Sequence, residues 1–405
     1  MSPTENVASK KLKWTSTTWL LVLGIVFIAL TLRSPLTSVG PVIEDIRNSL
    51  HISNVVAGFI TTIPLLAFAI VSPIVPKISR RITVERSLFL SMIILVVGVA
   101  LRSSGVTSLL FIGTTLIGIG IGIAFGNVLL PDLIKLKFPF QVGLLTAIYT
   151  VAMNSSASIA AGVSYPLSTL SFGWQGSLGV WIILAIAAVF IWLPQTRHIS
   201  KEEIAPTTAQ KEKKQIWRYP LAWVIMISMG FQSMIFYTTA AWVPEMFKEQ
   251  GMTAAQAGLM FSIMQVSQIP MTFITPILAG RLKDQRPVVA MFAVFYIIGF
   301  AGLIMGWTDY SVIWVILLGA AGGASFSMCM MFFSLRSRDS FEAADLSGFA
   351  QSLGYLIAAV GPVLYGFIHD VYHSYDAANI MYIFVVAISL TASFIAAKDR
   401  YVTND

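Results

Sequence analysis

The chain has 405 residues, of which 56% are hydrophobic and only 11% charged, against about 25% charged in an ordinary soluble domain. A net charge of +7 would suit a nucleic-acid binder, but the basic residues stand in short segments between long apolar runs, where lysine and arginine set membrane topology instead. A single cysteine, Cys329, excludes an intrachain disulfide and a cysteine-rich metal site.

Apolar runs of about 18 residues or more recur along the chain, which marks an all-α polytopic membrane protein rather than a barrel. The pattern predicts twelve spans, at 17–41, 53–76, 87–104, 108–131, 142–165, 174–193, 220–244, 255–279, 288–306, 311–334, 346–368 and 378–397. Lys10, Lys11 and Lys13 precede the first run as in a signal peptide, but no small-residue cleavage site follows, so the run reads as a retained first helix. With the N-terminus inside, inner segments hold 22 of the 26 Lys and Arg, and outer loops hold three, Arg47, Arg102 and Lys248. That bias predicts cytoplasmic N- and C-termini in a cell membrane.

The remaining basic residue, Arg33, lies inside span 1. An arginine at depth costs about 2.5–3.5 kcal/mol on insertion scales. The ten Leu, Ile, Val and Phe residues from Leu20 to Leu32 return roughly 0.3–0.6 kcal/mol each, so the helix still inserts. Ala29, Arg33, Thr37 and Gly40 share one helical face, with Ser34 and Ser38 beside it. A planar donor fork there suits an oxyanion or a nitro group. The plainer alternative is a snorkelling arginine or one paired to a structural carboxylate. All nineteen acids fall in loops or near span ends, the nearest to membrane depth being Glu44, Asp132 and Glu245. Asp132, at the end of span 4, is expected to organise its loop with Lys135 or Lys137.

Further along, Gly118, Gly122 and Gly126 recur every fourth residue in span 4, which lets helices approach closely. Polar residues near the midplane are Asn127, Tyr149 and Asn154, then Gln232 in span 7, Gln265 and Gln268 in span 8, and Gln351 and Tyr355 in span 11. Each could be a ligand for a solute, or interhelical glue. Phe236 holds in span 7 the place of Arg33 in span 1, with Tyr237 beside it. Trp242 either extends that aromatic wall or anchors at the interface. The four histidines, His51, His198, His369 and His373, lie in loops, which leaves no mid-membrane proton relay of the usual kind.

The polar stretch 194–219 reads as a cytoplasmic linker between bundles 1–193 and 220–405. The halves repeat. Ser72-Pro-Ile74 returns as Thr275-Pro-Ile277 and Pro41 as Pro244. Ala57-Gly58 returns as Ala257-Gly258, and Gly143 as Gly348. Gly118, Gly122 and Phe125 return as Gly319, Gly323 and Phe326. Two parallel six-span halves with a midplane site describe a common transporter architecture.

Over its whole length the chain resembles the major facilitator superfamily. The loop Ala279-Gly-Arg-Leu-Lys-Asp-Gln-Arg286 resembles that superfamily's cytoplasmic motif, whereas its counterpart Lys77-Ile-Ser-Arg-Arg-Ile-Thr-Val-Glu-Arg86 lacks the usual glycine and aspartate. Leu32-Arg-Ser-Pro-Leu-Thr-Ser-Val-Gly-Pro41, Gly126-Asn-Val-Leu-Leu-Pro-Asp-Leu-Ile-Lys135 and Gly354-Tyr-Leu-Ile-Ala-Ala-Val-Gly-Pro362 resemble the cyanate and nitroimidazole permease-like group. The resemblance implies a secondary transporter, not an enzyme, working by alternating access on a small anion or compact polar nitrogen compound. Expected substrate ligands are Arg33, Asn127, Tyr149, Gln232, Phe236, Tyr237, Gln265, Gln268 and Tyr355. Arg80, Arg81, Asp284 and Arg286 are expected to form charge pairs that latch the cytoplasmic side. The chain is expected to need no cofactor or metal and to work as a monomer in lipid, with no nucleic-acid partner. Multidrug efflux is the competing transport reading. A transporter-like sensor is disfavoured by the short appendages, about sixteen residues before span 1 and eight after span 12.

Overall fold

The computed structural model describes residues 15–52, 54–105, 107–197, 215–306, 308–372 and 375–403. Lys10, Lys11, Lys13, the linker residues 198–214 and His373 lie outside them, as do the side chains of Glu44, Ala57, Pro244, Glu245, Lys248 and His369. Among the described residues every regular element is helical. Eleven helices among the described residues are long and apolar enough to cross a membrane, or twelve when a bent pair is one span. In chain order they are Ser16–Val42, the pair Thr62–Val71 and Val75–Ile82, Val84–Ser103, Ser108–Lys137, Val142–Ser168, Gly173–Thr196, Pro220–Ala240, Leu259–Arg281, Arg286–Ile304, Thr308–Leu335, Ser340–Ile368 and Asn379–Ala396. They are spans 1 to 12 below. Helix starts follow local chemistry. Thr107 caps the helix of span 4 by accepting from Leu110 N at 3.1 Å. Thr253 and Gln256 form a reciprocal capping box ahead of span 8.

Three departures from regular helix matter. Span 1 breaks after Thr31, and Arg33 leaves helical geometry at φ −120°, ψ −35°, before a single turn Ser34–Thr37. Pro35 has no amide proton to continue the ladder. Span 2 bends by 55° around Ser72-Pro73-Ile74, whereas its counterpart Pro276 stays inside one helix. Span 4 carries a π-helical segment, Thr115–Gly120, where Gly118 faces Gly98 of span 3. A Cβ on Gly118 would lie 2.4 Å from the Gly98 backbone.

The linker end of the bundle is the one carrying the loops between spans 2 and 3, 4 and 5, 8 and 9, and 10 and 11. Span 5 packs against span 8 and span 2 against span 11, with spans 4 and 10 filling between. These are equivalent contacts under the internal repeat. A Cβ on Gly143 would lie 2.5 Å from the Pro276 carbonyl, and one on Gly348 would lie 2.7 Å from the Ser72 carbonyl. The Gly143/Gly348 repeat and the Ser72/Thr275 repeat, separate in sequence, thus meet crosswise in space.

Candidate functional site

Arg33 emerges at the helix break, half-buried. The break is seated by Gly126, where a Cβ would lie 2.4 Å from the Leu32 side chain. Around it the polar face is mostly self-satisfied. The Ser34 hydroxyl donates to Leu30 O at 3.0 Å and the Thr37 hydroxyl to Arg33 O at 3.1 Å. The Arg33 guanidinium carbon lies over the rings of Phe236 and Phe326, 5.0 Å from each centroid. Each such contact contributes about 0.5–2 kcal/mol according to how dry it is. Among the described residues, no carboxylate lies within 4.0 Å of this guanidinium and no acceptor receives its N–H groups.

Phe236 and Tyr237 meet edge to face at 5.1 Å. Tyr237 and Tyr355 are both in electrostatic range of Arg33, and Tyr149 in range of Tyr355. Tyr355 packs on Phe68 at 5.1 Å. Among the described residues the buried Tyr149 hydroxyl finds no hydrogen-bond partner, and neither does Oε1 of Gln351. Gln268 donates to Gln265 and, with Phe236, Thr239 and Tyr296, lines a cavity of about 20 Å³, room for one water.

Other expected ligands are less central. Asn127 is half-buried and its backbone carbonyl accepts from Gln351 Nε2 at 3.1 Å. Gln232 is buried and accepts from its neighbour Ser233 at 3.4 Å. Asn154 bridges the halves as glue, donating to Thr272 Oγ1 at 3.1 Å. Trp242 donates to Pro362 O at 2.9 Å and packs within the second half. Phe326 is absent from the residues expected around Arg33. Its signal was present in the Gly319, Gly323, Phe326 repeat, where it reads only as evidence of duplication.

The linker end is closed by polar contacts. Arg80 pairs with Asp345 at the head of span 11. Lys135 donates to the carbonyls of Ser334, at 2.7 Å, and Ser337 at the end of span 10. Ser352 donates to Ala69 O at 2.5 Å. The Asp284–Arg286 pair is local to its loop, with contacts of 2.8 and 3.0 Å from Arg286 Nε, and does not join the halves. Those hydrogen bonds from Arg286 hold the Asp284 carboxyl below its ordinary pKa. Arg81 is exposed.

Two readings of the sequence are corrected here. Asp132 is not paired with Lys135 or Lys137. Among the described residues it is buried with no ion pair and with Oδ1 lacking a hydrogen-bond partner, because Lys135 reaches across to span 10 and Lys137 reaches Glu85 at 3.0 Å. Arg102 is no outer-loop residue but is wholly buried on the last turn of span 3.

Comparison with known proteins agrees with this architecture. The Major Facilitator Superfamily model matches residues 19–362. The uncharacterized transporter YycB of Bacillus subtilis is 45% identical over 384 residues, 94% of each chain. The 2-nitroimidazole transporter of Escherichia coli is 38% identical over 350 residues, 86% of this chain and 88% of that one. The cyanate transport protein CynX of the same organism is 25% identical over 88% of this chain and 91% of its own. Among solved structures, the proton:xylose symporter XylE superposes with a TM-score of 0.77 at 14% identity, covering 95% of this chain and 97% of that one. The chain belongs to the Major Facilitator Superfamily and is a multi-pass membrane transporter rather than an enzyme, related to the 2-nitroimidazole and cyanate transporters.

Proposed function

We propose that this transporter moves a small planar anion, or a compact polar nitrogen compound such as a nitroimidazole, by alternating access. The observation that carries the reading is Arg33. It stands at the break in span 1 between two aromatic faces, with donors unmatched by any described carboxylate. An aromatic clamp orients a guanidinium without neutralising it, so the missing charge is left for a solute to bring. Tyr149, Tyr237 and Tyr355 offer hydroxyls nearby, Phe236 forms a wall, and Gln265, Gln268, Asn127 and Gln232 are more distant hydrogen-bonding groups. The names of two relatives, a 2-nitroimidazole transporter and a cyanate transport protein, fit solutes of this class.

In this reading residues 1–193 and 220–405 rock as bundles joined by the linker 194–219. The basic linker end faces the cytoplasm, with both termini there. The present conformer is sealed at the cytoplasmic end by Arg80–Asp345, Lys135 and the two glycine crossings. Arg81 and the Asp284–Arg286 pair flank that seal and add to the charge latch of the cytoplasmic side. The carrier works as a monomer in the cell membrane.

The test is thermal-shift binding and vesicle flux with cyanate, nitrate and 2-nitroimidazole, on wild type and Arg33→Gln. Loss of a charge-assisted hydrogen bond of about 1.5–3 kcal/mol should weaken binding roughly tenfold to 100-fold and abolish measurable flux, with little change in melting temperature. Equal responses of the two proteins would remove Arg33 from the site. Stabilisation by bulky neutral compounds alone would favour the efflux reading.

A further inference from the structure

The break that presents Arg33 leaves a backbone carbonyl to be satisfied. In a continuous helix the Pro35 carbonyl would receive the amide of Val39. Val39 donates instead to Leu36 O at 3.4 Å. The Pro35 carbonyl is taken by Nη1 of Arg102 from span 3, at 2.6 Å. Arg102 is 0% exposed. Phe111 lies 6.0 Å from its guanidinium carbon. Among the described residues the Arg102 Nε and Nη2 have no hydrogen-bond partner, and no carboxylate is within 4.0 Å of the guanidinium.

Burying a guanidinium without a counter-charge is costly, and a neutral side chain could satisfy one carbonyl. A charged donor makes the shorter and stronger bond. The strength is needed here, because the turn Ser34–Thr37 is four residues long and too short to hold itself. Arg33 sits two residues before the clamped carbonyl.

We infer that Arg102 is a positioning residue for the substrate site: it clamps the Pro35 carbonyl, fixes the broken turn of span 1 and so aims the Arg33 guanidinium. The inference rests on the reading of Arg33 as the solute's ligand. Arg102 touches no solute itself. It explains why a charge is tolerated at a buried position near the outer end of span 3.

The experiment has two arms. Arg102→Gln removes the buried charge and keeps a weaker donor, so the fold is retained, while Arg102→Lys keeps the charge. In the first arm, affinity for 2-nitroimidazole and cyanate is measured for wild type, both Arg102 variants, Arg33→Lys and the Arg33→Lys/Arg102→Gln double variant. Arg102→Gln should weaken binding about tenfold, the scale of one charge-assisted hydrogen bond, and Arg102→Lys should recover much of it. In the Arg33→Lys background the Arg102→Gln loss should shrink below about threefold, since residues acting through one another are not additive. Equal losses in both backgrounds overturn the inference.

The second arm needs no ligand. Thr37→Cys is labelled with a thiol reagent, the native Cys329 being buried at 1% exposure. Adding Arg102→Gln should change the labelling rate severalfold, because the turn is released, and an unchanged rate overturns the inference. Should Arg33→Lys and Arg33→Gln bind like wild type, the site reading fails instead, and the labelling rate alone decides whether Arg102 holds the turn.

Discussion

The linker end and the centre of this molecule obey different rules. At the linker end the internal repeat is kept. Gly143 of the first half crosses Pro276 of the second, and Gly348 of the second crosses Ser72 of the first. At the centre the repeat is broken. Arg33 and Phe236 occupy corresponding positions, yet one is a cation and the other an aromatic ring, and they touch, 5.0 Å from guanidinium carbon to ring centroid. Symmetric contacts let two halves close on each other in matching steps. In the proposed site the asymmetric ones give a solute a charged side and an aromatic side.

The strongest way to break the symmetric region is Gly143→Val or Gly348→Val. Each puts a Cβ against a backbone carbonyl at 2.5 or 2.7 Å, and overpacking of this kind costs about 1–3 kcal/mol. Both variants should disfavour closure of the linker end and cut vesicle flux roughly tenfold or more. The two effects should be alike. A large difference between them would mean that the seams are not equivalent in the cycle.

In the asymmetric region, Phe326→Leu removes one ring from the Arg33 clamp. A cation–π contact of about 1 kcal/mol predicts a several-fold loss of anion affinity, read by titration, with the fold unchanged.

The Arg80–Asp345 pair has side chains 31% and 26% exposed, so Asp345→Asn should shift the closed state by no more than about 1 kcal/mol. Thiol labelling of single-cysteine variants on the linker side would report it as a modest rise in access.

The smallest effect on transport belongs to Thr83. It follows the bent half of span 2 at φ 78°, ψ 158°, a conformation that glycine alone adopts freely, at a cost of about 1–3 kcal/mol for other residues. Thr83→Gly should raise thermal stability by about 1 kcal/mol and leave flux unchanged.

Much of this was legible in the chain itself. Hydropathy marked the spans, and the charge census singled out Arg33. The repeat offsets contained the crosswise seams, although sequence cannot say that Gly143 meets Pro276 rather than its own copy. Phe326 and Asp345 were harder, because contacts between halves follow from how the halves are docked, not from spacing along either. Arg102 was misread for a physical reason. An arginine one turn from a helix end looks the same in sequence whether it snorkels to water or turns inward onto a freed carbonyl. The break at Pro35 was the available clue. Asp132 was misread likewise, since two lysines within five residues suggest local pairing, and both are engaged elsewhere.

The aromatic clamp on Arg33 also bears on energetics across the membrane. The rings of Phe236 and Phe326 orient the guanidinium without cancelling its charge. In the proposed cycle the Arg33 site therefore holds one unmatched positive charge when empty and none when it holds a monovalent anion. One elementary charge crossing the whole field is worth about 2.3 kcal/mol per 100 mV. Membrane voltage should then weigh differently on the return of the empty site and of the loaded one, so that anion on the far side changes the voltage dependence of turnover.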